Sequence, residues 1–95
     1  MPVVFHGFNN KLEIALMLIQ EGYYLSFGNH LLYPQMESVF ASLSMQNIFL
    51  ETDTQNISIY DIYNQAARIK NSTVDQLYFQ IKRNTEKVFN IKCPR

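Results

Sequence analysis

Cysteine is nearly absent from this chain. Cys93, close to the end of a 95-residue sequence, is the only one, so neither an internal disulfide nor a cysteine-rich zinc site can be built. An excess of one charge is missing too: eight basic and eight acidic residues cancel at pH 7. Without a basic stripe there is no groove to track a phosphate backbone, which argues against a helical DNA-binding module. Any contact with nucleic acid has to be local, through metal or hydrogen bonds. The longest apolar run, Ile14 to Ile19, falls far short of the roughly 20 residues needed to cross a bilayer. Met1-Pro2 leads directly into a strand-like segment and not into a secretory leader. No low-complexity stretch or internal boundary divides the sequence. The expectation is a reduced, cytoplasmic protein with no membrane partner, residues 1–95 forming a single unit. With 47% hydrophobic and 17% charged residues, such a unit should fold.

What is present alternates between strand and helix signals. Val3-Val4-Phe5-His6 is a short apolar run stopped by Gly7 and reads as a buried strand. Asn10 with Glu13 makes a capping box for a helix whose period is set by Leu12, Ala15, Leu16 and Ile19. Ile14, Met17 and Leu18 make that helix apolar nearly all round, and Gly22 supplies its left-handed stop. Tyr23 to Phe27 is a second strand ended by Gly28, and residues 29–33 form a loop. Pro34 opens a second helix carrying Met36, Val39, Phe40 and Leu43. A turn over 44–47 leads to a third strand, Ile48 to Thr52. Thr54-Gln55-Asn56 is a polar loop. Ser58 with Asp61 caps a third helix along Ile59, Ile62, Tyr63, Ala66 and Ile69, which Asn71-Ser72 breaks. Thr73 with Gln76 caps the last helix, with Val74, Leu77, Tyr78, Ile81 and Val88 on one side. The tail from Lys92 is expected to fray.

Short apolar strands alternating with helices imply parallel pairing and right-handed crossovers. The fold class is therefore α/β: three βα units plus a C-terminal helix. Three parallel strands make a poor domain, because both outer strands expose unpaired edges and a closed (β/α) barrel needs eight. The chain reads as part of something larger. Two ligand-type side chains then stand out, His6 at the end of the first strand and Asp53 at the end of the third. On parallel strands both lie at the C-terminal edge, where α/β enzymes place their chemistry. Each has a bland alternative: His6 as a structural imidazole, Asp53 as a turn cap. Glu51 shares the parity of Asp53 and either supports the site or makes a structural hydrogen bond. Ser26 either lines the cleft or satisfies backbone. His30 is expected to be exposed. Tyr60, Tyr63, Tyr78 and Phe79 are read as helix packing and not as base-stacking platforms.

Four segments taken in order resemble the C-terminal part of the TatD family of metal-dependent deoxyribonucleases. They are Pro2-Val-Val-Phe-His6-Gly-Phe8, Gly22-Tyr-Tyr-Leu-Ser-Phe-Gly28, Ile48-Phe-Leu-Glu51-Thr52-Asp53, and Asn84 with Val88-Phe89. The resemblance covers nearly the whole chain and implies the sixth to eighth βα units of a TIM-like barrel. By resemblance His6 is a metal ligand, and Asp53 binds metal and helps activate the attacking water. A divalent cofactor and a DNA or other phosphate-ester substrate come with it. The family's other ligands, from its first five strands, have no counterpart here. Thr54-Gln55 stands where the family commonly has Ser or Ala followed by Pro, and Asn9-Asn10 replaces a Ser-Gly-type turn. The resemblance thus implies part of a phosphodiester-cleaving hydrolase, incomplete by itself and associating with copies of itself or with the remaining barrel. The alternative is a small self-associating α/β remnant without catalysis.

Overall fold

The computed structural model of the chain describes residues 3–52 and 58–89. Strands β1 (Val4–Phe5), β2 (Tyr24–Phe27) and β3 (Ile48–Leu50) form one sheet in the order β1-β2-β3. Both pairings are parallel: Val4 lies beside Tyr24, Leu25 beside Ile48 and Ser26 beside Phe49. Helices α1 (Leu12–Gln20), α2 (Pro34–Ala41), α3 (Ile59–Lys70) and α4 (Val74–Phe89) alternate with the strands and then close the chain. The expected parallel α/β arrangement is present.

One face of the sheet is the core. Leu25, Phe27 and Ile48 pack with Ala15 of α1, Met36, Val39 and Phe40 of α2, Ile62 and Ala66 of α3, and Leu77 of α4 in a single cluster. Phe27 meets both Phe8 and Phe40 edge-on, at centroid distances of 5.5 and 5.0 Å. All four helices therefore supply one face. This singly wound layout belongs to a barrel wall; a doubly wound sheet carries helices on both faces.

Several helix ends follow the local chemistry expected of them. The Gly22 backbone has φ +88°, and its N–H donates to the Ile19 carbonyl while Tyr23 N–H reaches Leu18, the paired bonds of a Schellman stop. Asn71, at φ 51°, ends α3 in the same way. Ser58 and Asp61 form their capping box. Thr73 and Gln76 exchange side chain-to-amide bonds at 3.1 Å each.

Other expectations are corrected. No Asn10–Glu13 box forms: α1 begins at Leu12 behind Lys11, without a side-chain cap, because the Asn10 side-chain Oδ1 is taken by the Lys11 N–H at 2.8 Å. The first strand is not buried. Val3 and Phe5 are 41% and 38% exposed, since β1 has a neighbour on one side only. β3 ends at Leu50 and not at Thr52, although Glu51 N–H still donates to Phe27 O at 2.9 Å. Residues 29–32 form a 3-10 turn where a loop was expected. Leu16 and Met17 of the strongly apolar α1 are about half exposed. Among the described residues no helix is long and apolar enough to cross a membrane.

Besides its apolar packing, the last helix is hydrogen-bonded to the sheet through Asn84. Asn84 is buried; its amide donates to Met45 O at 2.8 Å and Ile48 O at 2.7 Å, and its oxygen accepts from Gln80 at 3.0 Å. Asn84→Leu would keep the volume and strand two carbonyls without donors. Urea unfolding of that variant should show a loss of about 2–3 kcal/mol. A midpoint equal to the parent's would mean that the amide is not the fastening.

Candidate functional site

Alternation along the strands turns Val4, Tyr24, Ser26 and Phe49 to the face opposite the helices, as their pairing requires. Tyr24 and Phe49 meet there with ring centroids 5.8 Å apart. Continued past the strand ends, the same parity places His6 and Glu51 at the C-terminal rim of that face. Val4, Phe49, Leu50 and Phe89 enclose, with His6, Ser26 and Glu51, an open cavity of about 360 Å³.

At the rim the Glu51 carboxylate collects three donors. His6 Nδ1 and Ser26 Oγ both reach Oε1 at 2.7 Å, and the Gly7 amide reaches Oε2 at 2.7 Å. Each of these donors comes from another strand's end: His6 and Gly7 follow β1, and Ser26 belongs to β2. Gly7 sits at φ 61°, a left-handed turn that a residue without Cβ adopts at no steric cost. Burial pushes the Glu51 carboxyl up, but the bonds from His6, Ser26 and Gly7 and the attraction of the imidazole outweigh it. The group lies below its ordinary value of 4.5 and is ionised at neutral pH. An ionised carboxylate has no proton to give, so Nδ1 is the protonated ring nitrogen of His6. Its Nε2 is then left outside the bond, on a side chain that is 74% exposed.

That donor set fits a metal in part. Ligating histidines typically give their second ring N–H to a carboxylate, which fixes tautomer and ring orientation. His6 with Glu51 has this form. Among the described residues, however, no three His, Cys, Asp or Glu side chains gather to hold an ion, and Asp53 lies outside them with Thr54 and Gln55. The structure brings His6, Glu51 and Ser26 together. It separates His30 from them in role: that residue is half-buried and not exposed as expected, on the turn after β2, with its Nδ1 buried and unpaired. The residue underread in sequence is Glu51, the hub of the rim. Its shared parity with Asp53 was the available signal, but nothing in the chain order pairs it with a histidine 45 residues away.

A one-sided parallel sheet with a carboxylate-held histidine on its C-terminal rim is a piece of a (β/α) barrel wall. The chain belongs to the TatD family: it matches the TatD related DNase family over residues 1–90. It is 27% identical to the uncharacterized metal-dependent hydrolase YjjV of Escherichia coli K12, over 93% of this chain and 40% of that protein. The crystal structure of that TatD homologue superposes with a TM-score of 0.81 at 24% identity. A hydrolase TatD family protein from Entamoeba histolytica gives 0.80 at 14% identity, over 92% of this chain and 42% of that one. The chain thus spans about 40% of the length of the relatives it matches.

The lowered Glu51 carboxyl sets a sign for stability against pH. A depressed carboxyl contributes stability that is present above its unfolded value and lost as pH falls through the folded one. Glu51→Gln should therefore be less stable than the parent at neutral pH. The gap should close as the medium is acidified below 4.5. Urea midpoints measured from pH 7 to pH 3 check this, and a gap constant with pH would refute it.

Proposed function

We propose that this chain is the C-terminal fragment of a TatD-like barrel, and part of a cytoplasmic metal-dependent hydrolase that cleaves phosphodiester bonds in DNA or a related phosphate ester. The observation that carries the reading is the His6–Glu51 bond at a parallel-sheet rim, in a chain of the TatD family.

In this reading His6 would hold a divalent ion through Nε2, and Asp53 would be a second ligand. When bound, the ion supplies a lowered pKa for water and neutralisation of phosphate charge. Glu51 keeps the proton on Nδ1 and aims the ring. Asp53 would accept the proton of the attacking water, the general-base role that suits a carboxylate. Ser26 steadies Glu51 from the buried side. Two protein ligands are fewer than the three that a hydrolytic site of zinc type wants. The remaining ligands therefore come from other strands of the barrel, and the chain by itself is inactive.

A chimera tests the reading. This chain is placed in the E. coli relative in exchange for the 40% it matches. Metal content and hydrolysis of a DNA oligonucleotide are then measured. The chimera should carry divalent metal and cleave. His6→Ala should lower the metal content, and Asp53→Asn should lower the rate by about 100-fold or more. Cleavage that survives both substitutions unchanged would rule the assignment out.

A further inference from the structure

One helical face is left over by the fold and is not used by the site. On α4, Leu77, Ile81, Asn84 and Val88 turn inward and are buried. Steps of four place Asp75, Phe79 and Arg83 along a single stripe on the opposite side, and all three are exposed. The sequence assigns Phe79 to helix packing, yet it is 56% exposed. Tyr78 is equally exposed and meets it edge-on at 6.2 Å. Gln76, Phe79, Gln80 and Arg83 enclose an open cavity of about 290 Å³ on this stripe. None of these residues lines the cavity at the His6–Glu51 rim.

The stripe is ordered by charge. Its acidic group lies toward the N-terminus and its basic group toward the C-terminus, with an aromatic ring midway. The helix dipole favours that order of charges in any helix; it does not supply an exposed ring at the midpoint. When two antiparallel helices are related by a two-fold axis, a residue before the axis faces the one equally far after it on the other copy. With the axis at Phe79, Asp75 faces Arg83 of the second copy, and Arg83 faces its Asp75. Gln76 meets Lys82 in the same way. The residue that has to meet its own copy is Phe79, which carries no charge. Its ring brings no repulsion there, and the second copy's ring enters the cavity beside Gln76 and Gln80. Parallel pairing would set like charges against each other instead. The chain has no net charge, so copies do not repel one another at a distance.

We propose that this stripe of α4 is the interface of a homodimer, two copies packed antiparallel across Phe79 with Asp75 and Arg83 paired at both ends. The proposal stands independently of the metal reading. A stripe of a few turns buries less than the roughly 1,200 Å² of a stable complex. The dimer is therefore weak and forms reversibly at high concentration, and salt weakens its ion pairs further.

The test is an exchange of charges. Sedimentation velocity of this chain at rising concentration should show a monomer–dimer equilibrium that salt shifts toward monomer. Asp75→Arg and Arg83→Asp should each weaken the dimer by about tenfold or more, because each turns attraction into repulsion at both ends. An equimolar mixture of the two variants should regain dimers of the parent's strength, since each supplies the charge that the other lacks. Phe79→Gln should weaken association as well. All three positions are exposed, and circular dichroism of the variants should match the parent's. A chain that stays monomeric at every concentration would overturn the proposal. So would dimers indifferent to the single substitutions, or a mixture that associates no better than its components.

Discussion

The Glu51 carboxylate is the point on which the rim of this sheet depends. β1 contributes only two residues to the ladder, too few to fix where its end points. What holds that end is electrostatic: the His6 ring and the Gly7 amide both donate to Glu51 across the width of β2, with Ser26 donating from β2 itself. Charge-assisted bonds of 2.7 Å are among the stronger hydrogen bonds available to a protein. Three converging on one carboxylate explain why it remains ionised although burial opposes it. The bond that positions the strand end is also the bond that sets the tautomer of His6, so structure and chemistry cannot be altered independently here.

A period of two along each strand divides the molecule between core and site. Leu25, Phe27 and Ile48 face the helices and are fully buried. Ser26, one position over, is equally inaccessible but belongs to the other face, where its hydroxyl has a carboxylate to meet. A one-residue slip of β2 would bring Ser26 into the apolar cluster and Leu25 to the rim. The register Ser26–Phe49 is therefore what lets a strand of four residues serve both purposes.

Much of the fold was legible in the sequence because it rests on local rules. Strand and helix order followed from apolar periodicity, the α1 stop from Gly22, and the starts of α3 and α4 from Ser58–Asp61 and Thr73–Gln76. The failures are equally physical. The Asn10 box was lost to competition, since an Asn side chain satisfied by the adjacent Lys11 amide cannot reach into the helix. The exposure of Val3 and Phe5 depends on which strand is an edge, which hydropathy does not encode. At the site, His6 was legible by its place after an apolar run. The partnership of His6 with Glu51 was not, because it depends on two crossovers bringing chain positions 45 apart into contact. Asn84 entered the reading only as part of a resemblance. Its physical role, donating to Met45 and Ile48, is a tertiary fact.

The rim pair and the open cavity lie on the same side of the same sheet. His6 keeps Nε2 outside its bond to Glu51, and the face below it carries an open cavity with apolar walls. In a barrel that side gains twice from every parallel strand, which brings an inward residue to the layers and a C-terminal end to the rim. The opposite face is packed, since all four helices contribute to its core. The helical face supplies the cohesion that keeps the sheet together, while the C-terminal rim of the concave face holds a histidine and a carboxylate in one hydrogen-bonded pair.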